Sequence, residues 1–194
     1  MGASWNDPKA FVWVEDRHAV GFISGLLLRL NKPLPTIKSA KGREKMLTKM
    51  RRIALDVLEA HGYDKMVVLI DGHGDPQAIA LRCHNAISPE LRGRVKAIIF
   101  EESIEEWVCV GLSLSLKGRK PLDVLLAYER GKKGPQIKEK DVKRWLPSYA
   151  ERINVNKLRQ NRLFGEFLKA ISDCPWSVIL IGKGWQVRIS LHDK

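Results

Sequence analysis

The sequence predicts an α/β fold, a mostly parallel sheet with helices on both faces, followed by a helical insertion and a C-terminal hairpin. Three observations carry this reading. Short, β-branched apolar runs at 11–14, 65–70 and 95–100 lack the alternation of a half-solvated strand, so they read as strands buried on both sides. Stretches at 20–30, 43–60, 76–86 and 104–114 place apolar residues at helical spacing. Strand and helix therefore alternate, the order that produces parallel strands joined by helical crossovers.

Each element has its own punctuation. The helix over 20–30 is closed by Asn31-Lys32-Pro33-Leu34-Pro35, whose prolines cannot continue it. The helix over 43–60 ends on His61-Gly62, a stop signal. The central strand runs into Asp71-Gly72-His73-Gly74-Asp75, and Pro76 then opens the next helix. From 117 to 143 the chain is basic and interrupted by glycine and proline, which predicts a loop-rich or short-helical insertion. A helical period resumes over 154–171 through Leu158, Leu163, Phe167, Leu168 and Ile171, until Asp173-Cys174-Pro175 stops it. Two alternating runs about Gly182-Lys183-Gly184 read as a hairpin. The expected organisation is an α/β core over 1–116 and a basic helical extension with the hairpin over 117–194, packed on the same core.

The balance of 34 basic against 22 acidic residues gives a formal charge of +12 over 194 residues. Such an excess bears on partners, and phosphate polyanions are the commonest, so nucleic acid is the expected partner. The cations fall into clusters: Lys41 and Arg43 at the second helix, Lys117, Arg119, Lys120, Lys132 and Lys133 in the insertion, and Arg144 beside Trp145. Cations near flat aromatics suit single-stranded or distorted nucleic acid. Three cysteines without CxxC spacing argue against a disulfide framework and a structural zinc site. No apolar stretch approaches the roughly 20 residues that span a bilayer, and the N-terminus lacks a signal-peptide pattern, so no membrane contact and a cytoplasmic location are expected.

The chemistry is expected where the strands end in acid. Glu15 follows the first strand, Asp71 the second, and Glu101 and Glu102 the third. Carboxylates at strand ends of an α/β sheet present oxygen ligands of the kind Mg²⁺ and Mn²⁺ prefer, with water and substrate phosphate filling the remaining positions. Asp71 is the expected anchor, and Glu15 a second ligand or a general base. Glu102 or Glu105 would complete a second ion position. Asp75 fits two roles equally: a ligand brought round by the Gly72-His73-Gly74 turn, or an N-cap before Pro76. His73 is placed to bind metal or phosphate, although a loop histidine is more often simply exposed. The Gly-His-Gly-Asp turn is not a phosphate loop, and no serine sits in a nucleophile elbow.

These residues resemble the TOPRIM fold of topoisomerases, primases and OLD-type nucleases, most closely the small OLD-related TOPRIM proteins. VEDRHAV over 14–20 matches the opening acid at Glu15, DGHGD over 71–75 matches the aspartate loop, and SIEEW over 103–107 matches the acidic helix start at Glu105. The likeness covers roughly residues 10–115, with a weaker one in the basic, aromatic tail segment. It implies a compact sheet covered on both sides and Mg²⁺- or Mn²⁺-dependent phosphodiester chemistry on nucleic acid. The chain departs from the family pattern at Asp16, where glycine is usual, at His18, where a second acid is common, and in the four-residue spacing of Asp71 and Asp75. These departures favour an alternative, a TOPRIM-like nucleic-acid-binding module that has lost catalysis. A third reading is an accessory subunit that holds a protein partner through the hairpin edge.

Overall fold

All residues of the three apolar runs are buried, and with one short polar strand they build a parallel sheet: β1 (Ala10–Val14), β2 (Thr36–Ser39), β3 (Lys65–Ile70) and β4 (Val95–Ile99). The computed structural model describes residues 9–172, 179–181 and 186–187. Two further strands, β5 (Ile179–Ile181) and β6 (Gln186–Val187), extend the sheet to the order β2-β1-β3-β4-β5-β6. β5 pairs with β4 in parallel and β6 pairs with β5 antiparallel, as a terminal hairpin requires. The turn at Gly182-Lys183-Gly184 and the helix stop at 173–175 lie outside the described residues.

Alternate strand residues feed two separate cores. Phe11, Trp13, Met66, Val68 and Ile70 pack against α2 (Arg43–Leu55), which continues as a π-helical turn over Asp56–Ala60, and α3 (Pro76–Ala86). Val12, Val14, Val67, Leu69 and Ile98 pack against α1 (Arg17–Arg29) and α4 (Glu105–Gly111) on the other face. The extension supplies the rest of that second layer: α5 (Pro121–Lys133), α6 (Glu139–Arg144), α7 (Leu146–Arg152), α8 (Val155–Arg159) and α9 (Arg162–Ser172). Val124, Leu125, Tyr149, Phe164 and Phe167 belong to the same buried cluster as Phe22 and Trp107, so residues 117–172 share the core of 10–116. The Trp107 ring meets Phe100 and Phe164 edge-on, with centroids 5.0 and 4.9 Å away. Among the described residues no helix is long and apolar enough to cross a membrane.

Three elements differ from expectation. β2 is a four-residue edge strand, Thr-Ile-Lys-Ser, whose one apolar residue, Ile37, is half-buried and whose Lys38 is exposed, so it carries neither an apolar run nor clear alternation. The insertion holds a full helix, α5, opened by Pro121 in its first turn and closed at Gly134 with φ +102°. The helical period over 154–171 is split at Gln160 and Asn161, because the Asn161 side chain accepts the Phe164 N–H at 3.0 Å and starts α9 afresh.

The extension is fastened by close helix packing and by buried charge. A Cβ added at Gly25 would lie 2.7 Å from the Ala150 Cβ, and one at Gly21 would lie 3.0 Å from Pro147, so α1 and α7 approach as closely as glycine allows. The Arg29 guanidinium then donates to the carbonyls of Ala150 and, at 2.9 Å, Ile153. Glu129, fully buried on α5, accepts from the Tyr149 hydroxyl at 3.0 Å and from Arg152 at 2.9 Å, and pairs with Lys133 at 3.0 Å. Burial opposes its charge, yet these partners prevail and hold its carboxyl below the usual range. Lys96, buried on β4, pairs with Glu166 of α9 at 2.9 Å.

Overpacking a glycine contact of this kind costs about 1–3 kcal/mol. Gly25→Val is therefore expected to lower the urea midpoint by that order. Gly131→Ala, at a helical site with open space around it, is expected to raise the midpoint by about 0.5–1 kcal/mol equivalent.

Candidate metal centre

The chain leaves β1 for the edge strand β2 and then returns past β1 to β3, so the strand order reverses between β1 and β3. In open α/β sheets the crevice at such a switch point, outside the carboxyl ends of the strands, is where ligands bind. Glu15 and Asp71 are the first residues beyond β1 and β3, in parallel strands whose register aligns Val14 with Leu69. Their carboxylates emerge side by side.

Backbone N–H groups hold both acids. The Asp71 N–H donates to Glu15 Oε2 at 3.3 Å, and the Ile104 N–H donates to Asp71 Oδ1 at 3.0 Å. The Arg43 N–H at the start of α2 also donates to Glu15, so the positive end of that helix faces the carboxylate. His73 completes the group with Nε2 3.9 Å from Glu15 Oε1. One ligand atom each from Glu15, Asp71 and His73 all lie within 4.8 Å of one another.

The loop that carries His73 is conformationally demanding. His73 and Gly74 both have positive φ, +49° and +82°, and the Asp75 N–H closes the turn on the Gly72 carbonyl at 3.0 Å. A left-handed non-glycine residue costs of order 1–3 kcal/mol and is often tolerated at functional sites. The loop after β4 clamps it, since the His73 and Gly74 N–H groups donate to the Glu102 and Glu101 carbonyls, each at 3.0 Å. Gly72 is what permits this approach: a Cβ there would lie 2.2 Å from the Phe100 carbonyl oxygen.

Neighbouring acids set the electrostatics. Burial, Glu105 and Glu15 together push the Asp71 carboxyl well above the usual carboxylate range, against the Ile104 hydrogen bond and the Lys143 charge. Burial also raises Glu15, opposed by the Asp71 and Arg43 N–H groups and the charges of His73 and Arg43. Glu105 is buried at the start of α4. The Glu102 carboxylate lies against Gly74, while the Glu102 N–H is held by Glu106 at 2.7 Å. Asp75 is exposed and caps α3, accepting the Ala78 N–H at 3.1 Å, so of its two possible roles the structure displays the cap, and His73 stands in the ligand group.

A cavity of about 370 Å³ opens beside the acids, lined by Asp71, His73, Glu102 and Glu105 and, from the extension, by Lys120, Lys143, Asp123 and Glu139. The extension thus brings two cations and two further acids to the site. Of the basic residues singled out in the sequence, Lys120 lines this cavity and Arg43 adjoins Glu15. Lys41, Lys117, Arg119 and Arg144 are exposed, Lys132 lies over the Tyr128 ring at 4.1 Å, and Lys133 is engaged by Glu129 and the Trp145 ring. Lys143 was legible only as one of many cations; no local pattern marks it as a site residue.

No protein-family model, curated protein or solved structure matches the chain. The site therefore stands on its geometry.

A carboxyl raised on folding contributes stability that is intact below the ordinary carboxylate range and is lost as pH climbs through the raised value. The thermal midpoint of the metal-free wild type is expected to fall relative to that of Asp71→Asn as pH climbs above about 4, the ordinary carboxylate range, and through the raised value. Saturating Mn²⁺ should recover the midpoint in the wild type and not in the variant. Parallel curves across this range would refute the perturbation of Asp71.

Proposed function

We propose that the protein is a divalent-metal-dependent phosphodiesterase acting on nucleic acid, with a TOPRIM-like site. The observation that carries this reading is the meeting of Glu15, Asp71 and His73 at the sheet's switch point, with ligand atoms inside 4.8 Å and the two carboxyls resisting ionisation. Carboxylates that repel one another at a partly buried edge are relieved by a bound cation.

The residues fit such an ion. Ligands about 2.1 Å from Mg²⁺ or Mn²⁺ lie about 3–4 Å from one another, so this group needs only a small contraction. Asp71 would be the anchor and Glu15 and His73 its neighbours, with Glu105 and Glu102 near enough to the cavity to serve a second position. Two carboxylates suit either ion, and an imidazole favours Mn²⁺ over Mg²⁺. When bound, the ion would polarise a phosphoryl oxygen and lower the pKa of water.

The chain's own groups support the rest. Glu15, held above the ordinary carboxylate range by burial, is the group that would serve as general base in place of its ligand role. Lys120 and Lys143, which line the cavity together with Asp123 and Glu139, offer cations to a phosphate group, and the net charge of +12 favours approach of a polyanion. A second reading, a binding module without catalysis, is favoured by the capping role of Asp75, which leaves the aspartate loop with a single ligand carboxylate.

Cleavage of supercoiled plasmid, single-stranded DNA and structured RNA, with Mg²⁺ or Mn²⁺, separates the two. Metal-dependent cutting by the wild type that falls by about 10²-fold or more in Asp71→Asn is the expected result. No cutting by the wild type, with salt-sensitive binding retained, would leave the binding module.

A further inference from the structure

A second groove lies on the opposite face of β1, away from the acidic cavity. It has a volume of about 430 Å³ and runs between the edge strand β2 and α2, floored by Phe11, Trp13 and Tyr63. Four cations line it: Lys9 before β1, Lys38 on β2, and Lys49 and Arg52 on adjacent turns of α2. Asp56 is the one acid among the described lining residues, and it lies 3.5 Å from His61.

Lys9 is tied to the His61 carbonyl and lies over the Tyr63 ring, but the other three cations are not used by the fold. All four are exposed, and Lys38, Lys49 and Arg52 have no ion pair or side-chain hydrogen bond among the described residues. Like charges gathered along a groove repel one another, so the arrangement costs stability unless an anion joins them. The groove also has a direction. It begins at Lys9 and Tyr63, at the amino ends of the strands, and reaches Ser39 and Ala40 at their carboxyl ends, about 15 Å away at the rise of a strand. There Ser39 donates through Oγ to the Glu15 carbonyl at 3.3 Å, and the Ala40 N–H donates to the Val14 carbonyl at 2.8 Å. The groove therefore ends on the strand that carries Glu15.

We infer that this groove is a track for single-stranded nucleic acid, held by its phosphates on Lys38, Lys49 and Arg52 and led toward Glu15. An extended strand can follow a groove of this length, and its point charges read phosphates without reading bases. The choice of nucleic acid over another polyanion rests on the phosphodiesterase reading; the groove's affinity for an anionic strand does not.

The test is the affinity of a fluorescent 12-nucleotide strand, measured in EDTA across a salt series. Lys49→Glu/Arg52→Glu should weaken binding tenfold or more at low salt, and should reduce the slope of log affinity against log salt by about 1.4, two phosphate contacts on a single strand. Lys49→Ala/Arg52→Ala should act in the same direction, and thermal midpoints report that both variants are folded. Arg51→Glu/Lys140→Glu, a matched charge change at exposed residues outside the groove, should weaken binding less than threefold. An equal loss in the matched control, no loss in the groove variants, no binding by the wild type, or equal competition by polyglutamate would each overturn the track. Groove-dependent binding without metal-dependent cutting would uphold the track and remove the phosphodiesterase; cutting with unchanged binding in the groove variants would do the reverse.

Discussion

Burial takes two carboxylates at the ends of β1 and β3 out of water, and the loops around them supply hydrogen-bond donors in its place. The offsets closest to the acids are backbone dipoles: the N–H groups of Asp71 and Ile104, and that of Arg43 at the head of α2. Such donors stay in place only if their loops are rigid. The glycine contact between Gly72 and the Phe100 carbonyl, together with the two hydrogen bonds that lock the 71–75 turn to residues 101 and 102, makes them so. Burial still outweighs these donors and holds both carboxyls above the usual carboxylate range.

What the sequence exposes is what local physics decides. β1, β3 and β4 are legible because strands buried on both faces must be apolar throughout, and Glu15 and Asp71 are legible because the first charge after such a run emerges at its end. The cap at Asp75 is written in the Asp-Pro pair itself. β2 escapes because an edge strand four residues long needs only one neighbour, and its polar residues satisfy that need without a pattern. α5 is masked by the lysines and glycines around it, although Val124, Leu125 and Leu126 pack into the core.

The part of the site that no local pattern marks comes from a distance: Lys143 of α6 joins Lys120, already singled out in the basic insertion, at the cavity that holds Asp71 and Glu105. A cation's role is fixed by what surrounds it, and the cavity gives these two both near acids, Asp123 and Glu139, and acids some 15 to 70 residues away in sequence. Lys133 makes the same point in the opposite sense. It sits in the same basic stretch, yet its ammonium serves Glu129 and the Trp145 ring.

The position of β2 at the border of the sheet has one more consequence. Among the described residues its outer rim is unpaired, and an open rim invites another chain to add a strand and begin aggregation. Brevity and charge are the ordinary defences, and β2 has both: four residues, with exposed Lys38 among them. The lysine that faces the groove is thus also a guard against self-association. Its charge would be retained for solubility even in a descendant that no longer bound anything there.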